Sequence, residues 1–235
     1  MRRVILKLSG EALSGGTGVG INAKSVQHIA SEIKQLYDTG NTQIGIVVGA
    51  GNIWRGRDAS ENGMERASAD YMGMLGTILN SLALQNALEA LGIDTRTMSS
   101  ISIPSVAEPY IRRKALSHMN KNIVVIFAGG TGSPFFSTDT TAALRAAEMK
   151  ADMILMAKNG VDGVYDCDPR RNCNAKKYTK LTYDEMLAKH LEVMDLTAAT
   201  LCSENNINIL VFDMNVDGNI KESIDHYEIG TLITK

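Results

Sequence analysis

The sequence predicts an α/β fold: a mainly parallel sheet with helices packed on both faces. Two observations carry that expectation. Short apolar runs alternate with segments of helical period along the whole 235-residue chain, the pattern of strand–helix–strand units. The unusual residues, which are glycine turns, isolated cations and clustered hydroxyls, all follow directly after apolar runs. In open α/β sheets that is where ligands bind, beyond the carboxyl ends of the strands.

Residues 4–9 read as the first strand, and a glycine-dense loop follows over residues 10–20. Val26, Ile29, Ile33 and Leu36 form a helical stripe over residues 25–37, with Gly40 as its stop. A second strand, residues 43–48, runs straight into Gly49-Ala50-Gly51-Asn52. Met72, Leu75, Leu79 and Leu82 mark a long helix that stops at Gly92, with a strand at 94–98 and a short helix at 109–119 after it. Residues 123–127 form a buried strand, and good helix formers fill 142–150. A strand at 153–157 enters a long polar loop, 158–179. A helix over 195–204, a strand over 208–212 and an edge strand over 231–234 complete the chain. No repeat, low-complexity tract or linker interrupts it, so one domain over residues 1–235 is expected.

Composition narrows the function classes. Lys and Arg total 24 against 26 Asp and Glu, a balance that gives a nucleic-acid backbone nothing to bind. Only a three-residue apolar run precedes Lys7, too short for a signal-peptide core, and no run is long enough to span a membrane. Cys167, Cys173 and Cys202 are odd in number and lack CxxC spacing, and the four histidines are scattered. Neither disulfides nor a protein-held metal is expected, and a reduced cytoplasmic enzyme is.

The densest signal is AGGTGSPFFSTDT, residues 128–140. An apolar run ends there in three glycines, a proline and a series of hydroxyls, closing on an N-cap candidate, Ser137 or Thr138, beside Asp139. Such a turn aims several backbone N–H groups at one point with a helix dipole behind them, which favours a bound phosphate. Two familiar phosphate signatures are absent: there is no GxxxxGK[ST], and Trp54 stands where the Gly49 turn would need a third dinucleotide-motif glycine. Lys7, inside the apolar run VILKLS, reads as a phosphate ligand. Arg55, after the Gly49 turn, offers a planar fork suited to phosphate.

Five ordered blocks make the reading specific: LKLSG (6–10), GAGNIWRG (49–56), RASADYMGMLGT (66–77), GTGSPFFSTDT (130–140) and KNGVDGVYDCDP (158–169). Together they resemble the bacterial uridylate kinases of the amino acid kinase superfamily. That resemblance implies a three-layer αβα sandwich and transfer of a phosphoryl group from ATP, with Mg2+, to UMP in pyrimidine nucleotide biosynthesis. It implies that Lys7, Leu8, Ser9 and Gly10 meet the ATP phosphates, and that Gly51 and Arg55 stand at the junction with UMP. Asn159, Tyr165 and Asp168 would hold the nucleotide donor, ATP. Ala50, Asp70, Thr131, Gly132, Ser133, Pro134, Phe135, Phe136, Ser137 and Thr138 would hold UMP. Lys7, Arg55 and Asp139 would be catalytic, Asp139 orienting Lys7 or a magnesium-bound water, with Asp195 a second candidate for that support. The resemblance further implies a homohexamer, activation by GTP and inhibition by UTP. The loop Gly15, Gly16, Thr17, Gly18, Val19, Gly20 reads as a backbone nest for a regulatory anion. Two other readings compete: a small-acid kinase of the same fold, and a nucleotide-binding protein without catalysis.

Overall fold

Strand β1 (Arg2–Leu8) is the central member of a nine-stranded sheet. The computed structural model describes residues 1–56, 63–167, 169, 174–191 and 193–235. Helix α1 (Ala23–Tyr37) leads to β2 (Thr42–Val48), and α2 (Arg66–Ala90) to β3 (Thr95–Ser99). A two-residue β4 (Glu108–Pro109) precedes α3 (Arg112–Asn120) and β5 (Val124–Ala128). Next come α4 (Thr138–Met149), β6 (Met153–Lys158), β7 (Val164–Tyr165), β8 (Lys177–Tyr178) and β9 (Lys180–Thr182). Helices α5 (Tyr183–Ala188) and α6 (Leu196–Glu204), strand β10 (Asn208–Asp213), helix α7 (Asn219–Glu222) and strand β11 (Thr231–Thr234) complete the described elements.

The sheet order is β4-β3-β5-β2-β1-β6-β10-β11-β9, parallel except where β10 meets β11. The chain builds outward from β1 on one side and then crosses to β6 on the other. Helix α4 makes that crossing and packs over β1. The strand order therefore switches at β1 and β6, where such sheets hold their ligands.

The period of two along each strand sorts side chains into two cores. Val4, Leu6 and Leu8 join α1, α2 and α7 on one face. Ile5 joins α3, α4, α5 and α6 on the other. No described helix is long and apolar enough to cross a membrane.

Several expectations need correction. The stripe Met72, Leu75 and Leu79 on α2 faces outward, 41%, 45% and 53% exposed. The helix buries Met74, Ile78, Leu84 and Leu88 instead, with the small and polar Ala69, Gly76, Thr77, Asn80 and Ser81 between them where the Gly49 turn lies beneath it. A Cβ on Gly76 would stand 2.9 Å from that of Ala50. The short helix expected from residue 109 begins at Arg112, after Pro109 has paired as a strand. The long polar loop contains an antiparallel β7–β8 ladder. β11 is not the edge, since it is covered by β9, whose three residues are too few to show a periodicity.

Candidate active site

The site grows from the carboxyl ends of β1 and β6. Lys7 shares the face of Ile5, so its side chain runs toward α4 rather than into the other core. There its Nζ lies 2.8 Å from Asp139 Oδ1, with the two side chains 11% and 18% exposed. An edge-strand or solvated lysine is thereby excluded. β1 pairs with β6 so that Lys7 opposes Met156, and Lys158 comes two residues later on the same face. Burial, together with the Lys7 charge, holds the Lys158 ammonium below its usual pKa, while Asp139 acts in the opposite sense. Its Nζ donates to the Val193 carbonyl at 2.9 Å. Two cations and one carboxylate thus share a small volume.

Sequence reasoning did not single out Lys158 as a ligand. A signal was present, because MILMAK ends an apolar strand in lysine much as VILK does. The missing fact was the pairing of two strands that are distant in sequence.

The glycine turn after β2 packs against the end of β1. Gly49 N–H donates to the Leu8 carbonyl at 3.0 Å, and a Cβ on Gly10 would fall 2.6 Å from the Gly49 carbonyl oxygen. Asn80, buried in α2, donates to that same carbonyl at 2.7 Å and to Asn52 Oδ1 at 2.8 Å. Arg55 is exposed and ion-paired with Glu11. Glu11 follows the LKLSG block and was not anticipated as its partner.

A second group of candidate residues lies on α2 and the 131–138 loop. Asp70 receives Arg66 Nε at 2.9 Å and the Phe135 N–H at 2.8 Å, joining α2 to the loop. Thr131 Oγ1 donates to the Ser133 carbonyl and accepts from the Ser133 N–H, bracing the turn at Gly132. Ser137 is the N-cap of α4, its hydroxyl accepting from Thr140 N–H at 3.0 Å. Thr138 Oγ1 faces Gly49. Phe135 and Phe136 are exposed, and Pro134 stands between them and Ser133.

Asp195 does not reach Lys7. It caps α6 through Ala198 N–H at 2.9 Å and accepts from Ser137 and Thr140 of α4, so it locks two helix starts together. Burial raises its pKa, but these hydrogen bonds outweigh that and hold the carboxyl below the usual range. Its expected role beside Asp139 becomes one step removed.

A cavity of about 460 Å³ is lined by Lys158, Val164, Tyr165, His190 and Val193 among others. Tyr165 donates to Asp162 at 2.6 Å, and Asn159 accepts from Asn215 at 2.7 Å. Asp168 lies outside the described residues. The 15–20 loop is tied to the active-site turn from both sides. Gly20 N–H donates to the Asn52 carbonyl at 2.7 Å, and Asn52 Nδ2 donates to the Gly20 carbonyl at 2.8 Å.

A parallel sheet with cations and glycine turns at its switch point defines a class of phosphate-handling enzymes, and comparison with known proteins gives the class its name. The profile of the amino acid kinase family matches residues 2–213, and the chain belongs to that family. It is 56% identical over 232 residues to a uridylate kinase of Limosilactobacillus reuteri, covering 99% of this chain and 96% of the relative. The crystal structure of a UMP kinase from Bacillus anthracis superposes with a TM-score of 0.95 at 44% identity, covering 99% of this chain and 96% of that one. A UMP kinase from Ureaplasma parvum superposes with a TM-score of 0.94 at 40% identity, covering 100% and 99%. The resemblance read from the five motif blocks therefore holds, and the chain stands among the bacterial uridylate kinases.

Proposed function

We infer that this protein transfers the γ-phosphoryl group of ATP to the phosphate of UMP, giving UDP and ADP. The observation that carries the reading is the convergence of Lys7, Lys158 and Asp139 between two glycine-rich turns. The acceptor is a phosphate oxygen, already ionised near neutral pH, so no general base is needed. The difficulty is bringing two polyanions into line, and positioning with charge neutralisation answers it. Lys7 and Lys158 supply positive potential where charge develops, and Asp139 holds Lys7 in place. Arg55 is proposed to leave Glu11 for the phosphates at the junction, with Ala50 and Gly51 presenting the turn backbone to them. Leu8, Ser9 and Gly10 line the ATP phosphates, and Tyr165 and Asn159 lie toward its nucleoside. Asp70 takes the UMP ribose, and the 131–138 loop takes its phosphate and base.

Among the described residues no three His, Cys, Asp or Glu side chains gather to hold a metal. Mg2+ is proposed as an ion carried in on ATP, with Asp139, largely buried beside Lys7, as the carboxylate that would meet it. Bound there, the ion would neutralise phosphate charge.

The small-acid alternative leaves Asp70 and its loop without a purpose. A phosphoryl-transfer assay with UMP, CMP and small carboxylates, with nucleotide binding measured separately, tests the reading. Transfer to a carboxylate in preference to UMP, or binding without turnover, would overturn it.

The assembly proposed is a homohexamer acting in the cytoplasm, in pyrimidine nucleotide biosynthesis. The outward apolar stripe of α2 supports self-association, since a contiguous exposed apolar surface marks a contact. GTP activation and UTP inhibition belong to the same proposal. The hydrogen-bonded link between Gly20 and Asn52 offers a route from the 15–20 loop to the active-site turn.

A further inference from the structure

Arg145 takes no part in the mechanism above, yet it is a charged side chain only 3% exposed in the middle of α4. Its guanidinium lies over the Tyr110 ring, 3.9 Å from the centroid, and donates to Glu148 at 2.5 Å. Tyr110 donates to the same carboxylate oxygen at 2.5 Å. Burial first, and Glu148 second, push the tyrosine hydroxyl well above its usual pKa, so it stays a donor at any physiological pH. The ring and the carboxylate together fix the plane of the guanidinium.

That plane is aimed at the acceptor loop. The second terminal nitrogen donates to Ser100 Oγ at 2.6 Å and to the Gly130 carbonyl at 3.1 Å. Ser100 Oγ in turn donates to the Gly130 carbonyl at 3.1 Å. One carbonyl thus receives two donors, which use both of its lone pairs. In a trans peptide the next N–H points opposite to the carbonyl. Anchoring Gly130 O on Arg145 therefore turns the Thr131 N–H away from the core, at the start of the 131–138 loop. Packing alone would ask for no charge at position 145, because an apolar side chain can fill such a site without loss of stability.

We propose that Arg145 is a positioning residue for the acceptor nucleotide, setting the peptide between Gly130 and Thr131 through the Gly130 carbonyl and Ser100. The proposal rests on the reading that residues 131–138 hold UMP. Arg145→Lys keeps the charge but cannot fork to Glu148 and Gly130 together. Ser100→Ala removes the relay and leaves the arginine.

The test is steady-state kinetics of the full chain with UMP and ATP varied separately, alongside thermal unfolding. Arg145→Lys is expected to raise KM for UMP about tenfold or more, with a smaller loss of kcat and KM for ATP nearly unchanged. Ser100→Ala is expected to show the same pattern more weakly. Parallel changes in both KM values, or an unchanged KM for UMP in folded protein, would overturn the proposal. If Arg145→Lys does not fold, an unchanged KM for UMP in Ser100→Ala overturns it alone. Thr131→Ala separates the two levels. If that variant raises KM for UMP while Arg145→Lys and Ser100→Ala do not, positioning fails and the loop assignment stands. If Thr131→Ala also leaves KM for UMP unmoved, the loop assignment itself falls, and the proposal with it.

Discussion

Lys7 and Asp139 meet across the boundary between the central strand and the crossing helix, Nζ to Oδ1 at 2.8 Å. Both are largely screened from water by their surroundings, so the pair holds one geometry. Neither residue needs to move a proton, and what the pair provides is a cation with a fixed address. Lys7→Ala is expected to lower kcat by about 10²–10³-fold and leave KM for UMP nearly unchanged, since the charge acts chiefly in the transition state. Asp139→Asn should lower kcat in the same direction by freeing Lys7. Near-normal turnover of Lys7→Ala in a coupled ADP-release assay would remove Lys7 from the chemistry.

Lys158 makes a pH prediction. Its pKa is held below the ordinary lysine value by burial and by Lys7, so the ammonium loses its proton sooner as pH rises. The kcat/KM profile, which reports the free enzyme, should fall on an alkaline limb that lies below the titration of an ordinary lysine. In Lys158→Arg that limb should move upward, because a guanidinium does not titrate in this range. An identical limb in wild type and variant would assign it to another group.

Asp70 binds Arg66 and the Phe135 N–H at once. In Asp70→Asn a charged acceptor is lost from the UMP side, for a loss of about 1.5–3 kcal/mol. That corresponds to roughly ten- to a hundredfold in UMP affinity. ATP affinity should be nearly unchanged. Calorimetric titration of the two nucleotides decides it, and equal losses for both would rule out the ribose assignment.

Asp195 is a stability residue by its contacts. Removing a helix cap costs about 0.5–2 kcal/mol, and Asp195→Ala should cost at least that, because Ser137 and Thr140 lose their acceptor as well. The sign with pH follows from its lowered pKa. The contribution of its charge is complete above the unfolded carboxylate value of about 3.9, and it is lost as pH falls through the lower folded value. Urea unfolding should therefore show a gap between wild type and variant that is constant near neutrality and narrows in acid. A gap that grew in acid would contradict the assignment.

Gly18 has φ near 69° with open space around it. Gly18→Ala strains the backbone without a clash, and the loop it sits in is bonded to Asn52 of the active-site turn. Activation of UMP phosphorylation by GTP should be blunted in this variant, with basal turnover kept. Wild-type protein that shows no response to GTP over a broad concentration range would leave the loop a connector.

Much of this molecule could be read along the chain, because the controlling interactions are local. Alternation of apolar residues sets strands and helices, Ser137 caps the helix that follows it, and glycine turns after apolar runs mark the phosphate end of the sheet. Lys7 and Asp139 carried their signal in the same way, each within a recognisable block. What the chain order concealed were relationships made by strand register and helix rotation. Lys158 faces Lys7 only because β6 pairs with β1 in parallel and both lysines fall on the same phase of the pleat. The inward side of α2 carries Asn80, bonded to the Gly49 carbonyl, beside Ile78 and Leu84, while Met72, Leu75 and Leu79 are turned outward against the simplest hydrophobic expectation. Asp195 grips Ser137 and Thr140 rather than Lys7 because α6 starts beside α4. Periodicity is a property of neighbours in sequence. These contacts belong to residues brought together by the sheet order, and they exist only once the whole sheet has formed.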